Sequence, residues 1–140
     1  RYSILGYQSV MPDGIPFALP FLVLPLVLHK STRDALPRTA RTTLHSWTIS
    51  QPGVQVGYYE RTRQLVPFVK EGMVYGLISG LFIVTEGGNL LVTQKITGRT
   101  LPWTDGSEPG ACRKKAEFVG KWFARAGNVD TIFSIFGVQV

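Results

Sequence analysis

The sequence predicts a mainly α-helical fold with one small β-hairpin, arranged in the order of a winged-helix domain. Three observations point there. Apolar residues recur at helical spacing over 38–50 and 112–126. Two apolar runs, Leu81–Val84 and Leu90–Thr93, flank Glu86, Gly87, Gly88 and Asn89. A glycine pair at that tip supplies the positive φ angles of a tight turn. Three helical signals in succession after the apolar segment lead into the hairpin, which is winged-helix order.

Residues 1–14 read as an irregular N-terminal segment ending in a Pro12-Asp13-Gly14 turn. Residues 15–140 read as a single domain. The chain opens at Arg1 rather than Met, so its native start is expected upstream. Pro20 suits the first turn of a helix. Phe21 to Leu28 is apolar on every side, as a central core segment is, and Pro25 should kink it or shift its start. Ser31 and Asp34 approximate a capping box for a short turn ending before Pro37.

Within 38–50, Ala40, Leu44 and Trp47 fall on one helical face, and Arg38, Arg41 and His45 on another. Pro52 and Gly53 break the chain. A helix is expected over Val54–Val66 and another from Pro67 to about Ser79. Gly72, Gly76 and Gly80 are spaced by four in the latter. Glycine costs a helix about 1 kcal/mol against alanine, so a closely packed glycine side is expected. Residues 98–111 read as a Gly/Pro-rich loop. Residues 112–126 form an amphipathic helix with Ala116, Val119, Trp122, Phe123 and Ala126 inward, ended by Gly127. Asn128 caps a last short helix to Phe136.

At 140 residues the chain matches one domain with a modest core. The run Ile15–Leu28 contains three prolines and is shorter than the roughly 20 residues of a membrane span, so no membrane role is expected. The single cysteine, Cys112, allows no internal disulfide and no cysteine zinc site, which suits a reducing, cytoplasmic setting. His29 and His45 lie in no metal-ligand spacing; His29 reads as a hydrogen-bonded residue at a helix end. No phosphate-binding glycine loop ends in Gly-Lys-Ser/Thr. The expectation is therefore no enzyme, no cofactor and no metal.

The formal charge is +6, from fifteen Lys and Arg against nine Asp and Glu, a balance that favours acidic partners. Arg113, Lys114, Lys115, Lys121 and Arg125 decorate one helix, with Glu117 between Arg113 and Lys121 at spacings of four. Arg38 and Arg41, with His45, form a second, weaker stripe. These residues are the candidate contacts for phosphates or for an acidic protein surface. A solvated helix face with ordinary ion pairing accounts for the same pattern. Trp47, Trp122 and Phe123 read as core residues.

Residues Phe21 to Lys30 (FLVLPLVLHK), followed by Thr32, Arg33, Asp34, Ala35, Leu36 and Pro37, resemble the signature of the middle component of bacterial three-component ABC-ATPase systems. That group includes Lamassu-type antiphage defence. The stretch Gly120–Gly127 (GKWFARAG), then Thr131, Ile132, Phe133, Gly137 and Val138, is similar to the family's ending, and Gly80-Leu81-Phe82 matches in style. Ser31 stands where the family pattern has proline. The resemblance covers about residues 15–140.

What it implies is a role rather than a reaction: an adaptor linking an SMC- or Rad50-like ABC ATPase to an effector, often a nuclease, with double-stranded DNA met through the complex. It carries over no catalytic residue. Two other readings stand beside it: an autonomous winged-helix DNA-binding regulator, and an enzyme whose site is assembled only on folding.

Overall fold

The computed structural model describes residues 1–93 and 106–138. The fold is mainly helical with a small antiparallel sheet. Residues 1–14, expected to be irregular, begin with a helix, α1 (Tyr2–Gln8), whose Ser3, Ile4, Gly6 and Tyr7 are buried. No side-chain hydrogen bond caps it, and seven residues do not sustain a helix alone. What holds it is packing against α6 (Glu108–Arg125).

The predicted turn at Pro12–Gly14 is present, with Gly14 at φ +94° donating its N–H to the Met11 carbonyl at 3.1 Å. It leads into β1 (Ile15–Pro16). α2 (Pro20–Leu28) starts at Pro20 and continues through Pro25, with Leu22, Val23, Leu26 and Val27 buried among its neighbours. His29 ends it in an extended conformation, and α3 (Lys30–Ala35) follows at once. The expected capping box is not formed: Ser31 lies inside α3, and His29 is its N-cap without a side-chain cap bond.

The helix expected over 38–50 is confined to α4 (Leu44–Ser50), because Thr43 is extended and caps it, accepting from the Ser46 N–H at 3.2 Å. Residues before Thr43 form turns, so Arg38, Arg41 and His45 share no helical face. A 3-10 turn (Pro52–Gln55) follows. The two helices expected on either side of Pro67 are one, α5 (Tyr58–Ile78). Pro67 removes one helical N–H, but it is exposed along with Arg63, the residue whose carbonyl loses its partner, and water can take that place.

β2 (Ile83–Val84) and β3 (Asn89–Leu91) form the predicted hairpin, with Gly88 at φ +78°. β1 joins β3 with Ile15 opposite Leu90, giving strand order β1-β3-β2. The three helices expected between the apolar segment and the hairpin are two, α4 and α5, with the 3-10 turn between them. Part of the expected 98–111 loop lies outside the described residues. Its end is helical: Ser107 accepts from the Gly110 N–H at 3.2 Å and starts α6 four residues before the predicted Cys112. Asn128 caps α7 (Val129–Phe136) as expected, accepting from the Thr131 N–H at 2.9 Å. The core joins these helices through aromatic pairs, with Trp47 and Trp122 edge to face at 5.1 Å and Tyr58 stacked on Phe136 at 4.8 Å.

Candidate functional site

The signature segment is built into the core. Arg33 is 4% exposed. Its guanidinium donates to the Val27 carbonyl at 2.8 Å, to Cys112 Sγ at 3.3 Å and to Glu108 Oε1 at 3.0 Å. One side chain thus ties the end of α2 to the start of α6. The His29 ring bonds Thr32 Oγ1 through Nδ1 at 2.8 Å, as expected for a helix-end histidine. Trp47 Nε1 donates to the Ala35 carbonyl at 2.7 Å and Tyr58 Oη to the Leu22 carbonyl at 2.8 Å. These bonds satisfy buried polar atoms that would otherwise destabilise the core. Lys30 pairs with Asp34 at 2.6 Å. That hydrogen bond, with the charges of Lys30, Arg33 and Lys115, holds the Asp34 carboxyl below the usual carboxylate range.

Helical spacing puts Arg113, Lys114, Lys121 and Arg125 on one outer face of α6, with Glu117 among them. Lys121 reaches Glu117 at 3.6 Å, and the Arg113 guanidinium lies over the Tyr2 ring at 5.7 Å. Lys115 points elsewhere, its ammonium 5.8 Å from the Phe118 ring centre. Arg38 and Arg41 are exposed on the turn segment before α4. Trp122 Nε1 donates to the Thr42 carbonyl at 2.7 Å, so this segment is fastened to α6. Arg38 and Arg41 therefore sit on a loop fastened to α6 rather than on a second helical stripe.

The glycine side of α5 is closely packed only at Gly76, where a Cβ would collide with the Phe82 ring. Gly72 has nothing within 4 Å of that position, and Gly80 lies beyond the helix at φ +72°. Instead, α5 and β2 present apolar groups to solvent: Phe68, Val74, Tyr75, Ile78, Ile83 and Val84 are all exposed, Ile78 at 83%. The sequence reading assigned these no role. The signal for them was present, since residues 66–78 carry apolar side chains on both sides of the helix, more than one buried stripe requires.

A cavity of about 670 Å³ lies between α1, α2, α5 and α6, with Leu24, Val27, Phe68 and Met73 among its lining and Arg33 and Glu108 at its polar part. A second, of about 690 Å³, holds His45, Thr48, Asp130 and Thr131. Among the described residues the His45 ring makes no hydrogen bond, and no three His, Cys, Asp or Glu side chains are grouped to hold a metal. Among them, too, no helix is long and apolar enough to cross a membrane.

The signature residues around Arg33 thus clamp the core, and the outer faces of α5 and β2 carry exposed apolar groups. The family model of the ABC-three component (ABC-3C) system Middle Component 3 matches residues 1–140, and the chain belongs to that family. It has an accessory role in such a system, with the other components as partners. No curated protein and no solved structure matches the chain.

Proposed function

We propose that this chain is a non-catalytic adaptor of a cytoplasmic antiphage defence complex of the Lamassu type, joining an SMC- or Rad50-like ABC ATPase to an effector nuclease. The observation that carries the reading is the apolar surface of α5 and β2. Apolar patches of this kind, next to polar groups, are characteristic of protein–protein contacts. The family supports the partner class. The signature residues around Arg33 act within the chain, which fits a scaffold better than a reactive site. Co-purification of the neighbouring gene products tests the proposal. It predicts a stable complex containing an ABC ATPase; a chain that migrates alone at physiological salt contradicts it.

A second reading, an autonomous winged-helix DNA-binding regulator, is favoured by the outer face of α6. Lys114, Lys121 and Arg125 there suit phosphate contact. It predicts that the isolated chain binds duplex DNA with a steep salt dependence, and salt-independent or absent binding contradicts it.

A further inference from the structure

α5 packs on α2, α1 packs on α6, and the cavity of about 670 Å³ lies among these four helices. Its size falls within the roughly 300–1,000 Å³ of small-molecule sites. Two of its walls are apolar: α2 supplies Leu24 and Val27, and α5 supplies Phe68 and Met73. α5 also lines it with Gly72, where a Cβ would meet nothing within 4 Å. Glycine weakens a helix interior, and here it keeps open space that a side chain would fill.

The remaining wall, from α1 and the start of α6, is cationic. Arg1, Arg33 and Arg113 line the cavity against one carboxylate, Glu108. The first turns of α6 draw these groups together. Arg33 bonds Glu108 Oε1 at 3.0 Å and Cys112 Sγ at 3.3 Å, one turn further along. Arg113 follows Cys112 in the chain, and the guanidiniums of Arg1 and Arg113 lie 5.4 and 5.7 Å from the Tyr2 ring centre. Arg1 Nε is buried, and among the described residues it has no hydrogen-bond partner. A buried donor in that state destabilises the molecule unless an acceptor reaches it.

These features select the ligand chemistry. A neutral hydrocarbon would leave the Arg1 donor unmatched, and a nucleotide would set many polar atoms against α2 and α5. A carboxylate is compact and accepts from a guanidinium with good geometry. We infer that the cavity binds a small amphipathic anion of the aliphatic carboxylate class, its alkyl chain along α2 and α5 and its carboxylate accepting from Arg1. The site is built from this chain alone, so it does not depend on the adaptor reading.

The probe is decanoate, titrated calorimetrically into the full chain below the concentration at which it forms micelles, with decanol and acetate alongside. Decanoate should bind saturably at a single site. Each methylene removed from the probe should cost about fourfold in affinity. Decanol should bind roughly tenfold more weakly, for want of the charged hydrogen bond, and acetate should not bind measurably. Gly72→Leu fills the cavity from α5 where the fold has room, so its melting temperature should equal or exceed that of the wild type. Its affinity for decanoate should fall by about tenfold or more, because the alkyl chain loses its place. Arg1→Gln should bring decanoate close to decanol and leave decanol binding unchanged. Absent or unsaturable binding of decanoate, equal binding of decanol, or full binding by Gly72→Leu would each overturn the inference. If decanoate fails to bind but Gly72→Leu loosens the assembled complex, the cavity receives a side chain of another component; the inference then falls while the adaptor reading stands.

Discussion

Gly6 of α1 and Gly120 of α6 lie where the two helices touch backbone to backbone. A Cβ on Gly6 would strike the Glu117 carbonyl, and one on Gly120 would strike the Ser3 carbonyl and the Tyr7 amide. Backbone cannot move aside as the tip of a side chain can. Gly6→Ala and Gly120→Ala are therefore each expected to destabilise the fold by about 3 kcal/mol or more. Gly72→Ala should stabilise it by up to about 1 kcal/mol. Urea unfolding followed by circular dichroism distinguishes these outcomes, and equal effects at the three sites would contradict the packing described.

Arg33 and Glu108 are unequal partners. The Arg33 side chain is 5% exposed and that of Glu108 70%. Removing Arg33 abolishes the bond to the Val27 carbonyl and leaves a void, so Arg33→Ala should cost roughly 2–4 kcal/mol. Glu108→Gln should cost less than about 1 kcal/mol, because water already solvates that carboxylate. Denaturation midpoints of the two variants check the order; a larger effect from Glu108 would contradict it.

Burial holds the Tyr58 hydroxyl protonated well above the usual tyrosine range, with Thr62 and Arg61 opposing weakly. The folded chain then keeps a proton that the unfolded chain releases near pH 10. The associated stability is complete below that pH and is lost as pH rises above it. Absorbance titration should find at least one of the five tyrosines ionising only as the fold is lost. Tyr58→Phe should remove that step and, through the bond to Leu22, destabilise by about 1 kcal/mol. Ionisation of all five near pH 10 with unchanged circular dichroism would contradict the burial.

Lys114, Lys121 and Arg125 share the outer face of α6, whereas Lys115 lies against Phe118. If the complex meets DNA through this face, changing the first three to Ala should lower the slope of log affinity against log salt by about 3 × 0.9. Lys115→Ala should leave it nearly unchanged. An unaltered slope in the triple variant would remove α6 from the list of DNA contacts.

Local chemistry made some elements legible. Pro20 starts α2, Gly88 alone of the glycine pair supplies the positive φ at the hairpin tip, and Asn128 caps α7, because each acts on its own few residues. α1 and β1 were not legible because packing and pairing hold them, and neither carries periodicity or a side-chain cap. The expectation of close backbone approach at glycine was sound, but it attached to a repeated spacing. Gly6 and Gly120, single glycines with no such spacing, are where it occurs. The spacing of Arg113, Glu117 and Lys121 did place them on one face of α6, while Thr43 ended the helical reading that grouped Arg38 and Arg41 with His45. The α5 surface stayed hidden because an exposed Phe68 or Ile78 looks in sequence like another core residue.

The adaptor reading is tested most directly by whether the two other components of the system associate without this chain. Affinity purification of the tagged ATPase component, from cells expressing all three or only the other two, makes the comparison. The adaptor account predicts that the third component is retained only when this chain is present. Equal retention in its absence would contradict that account.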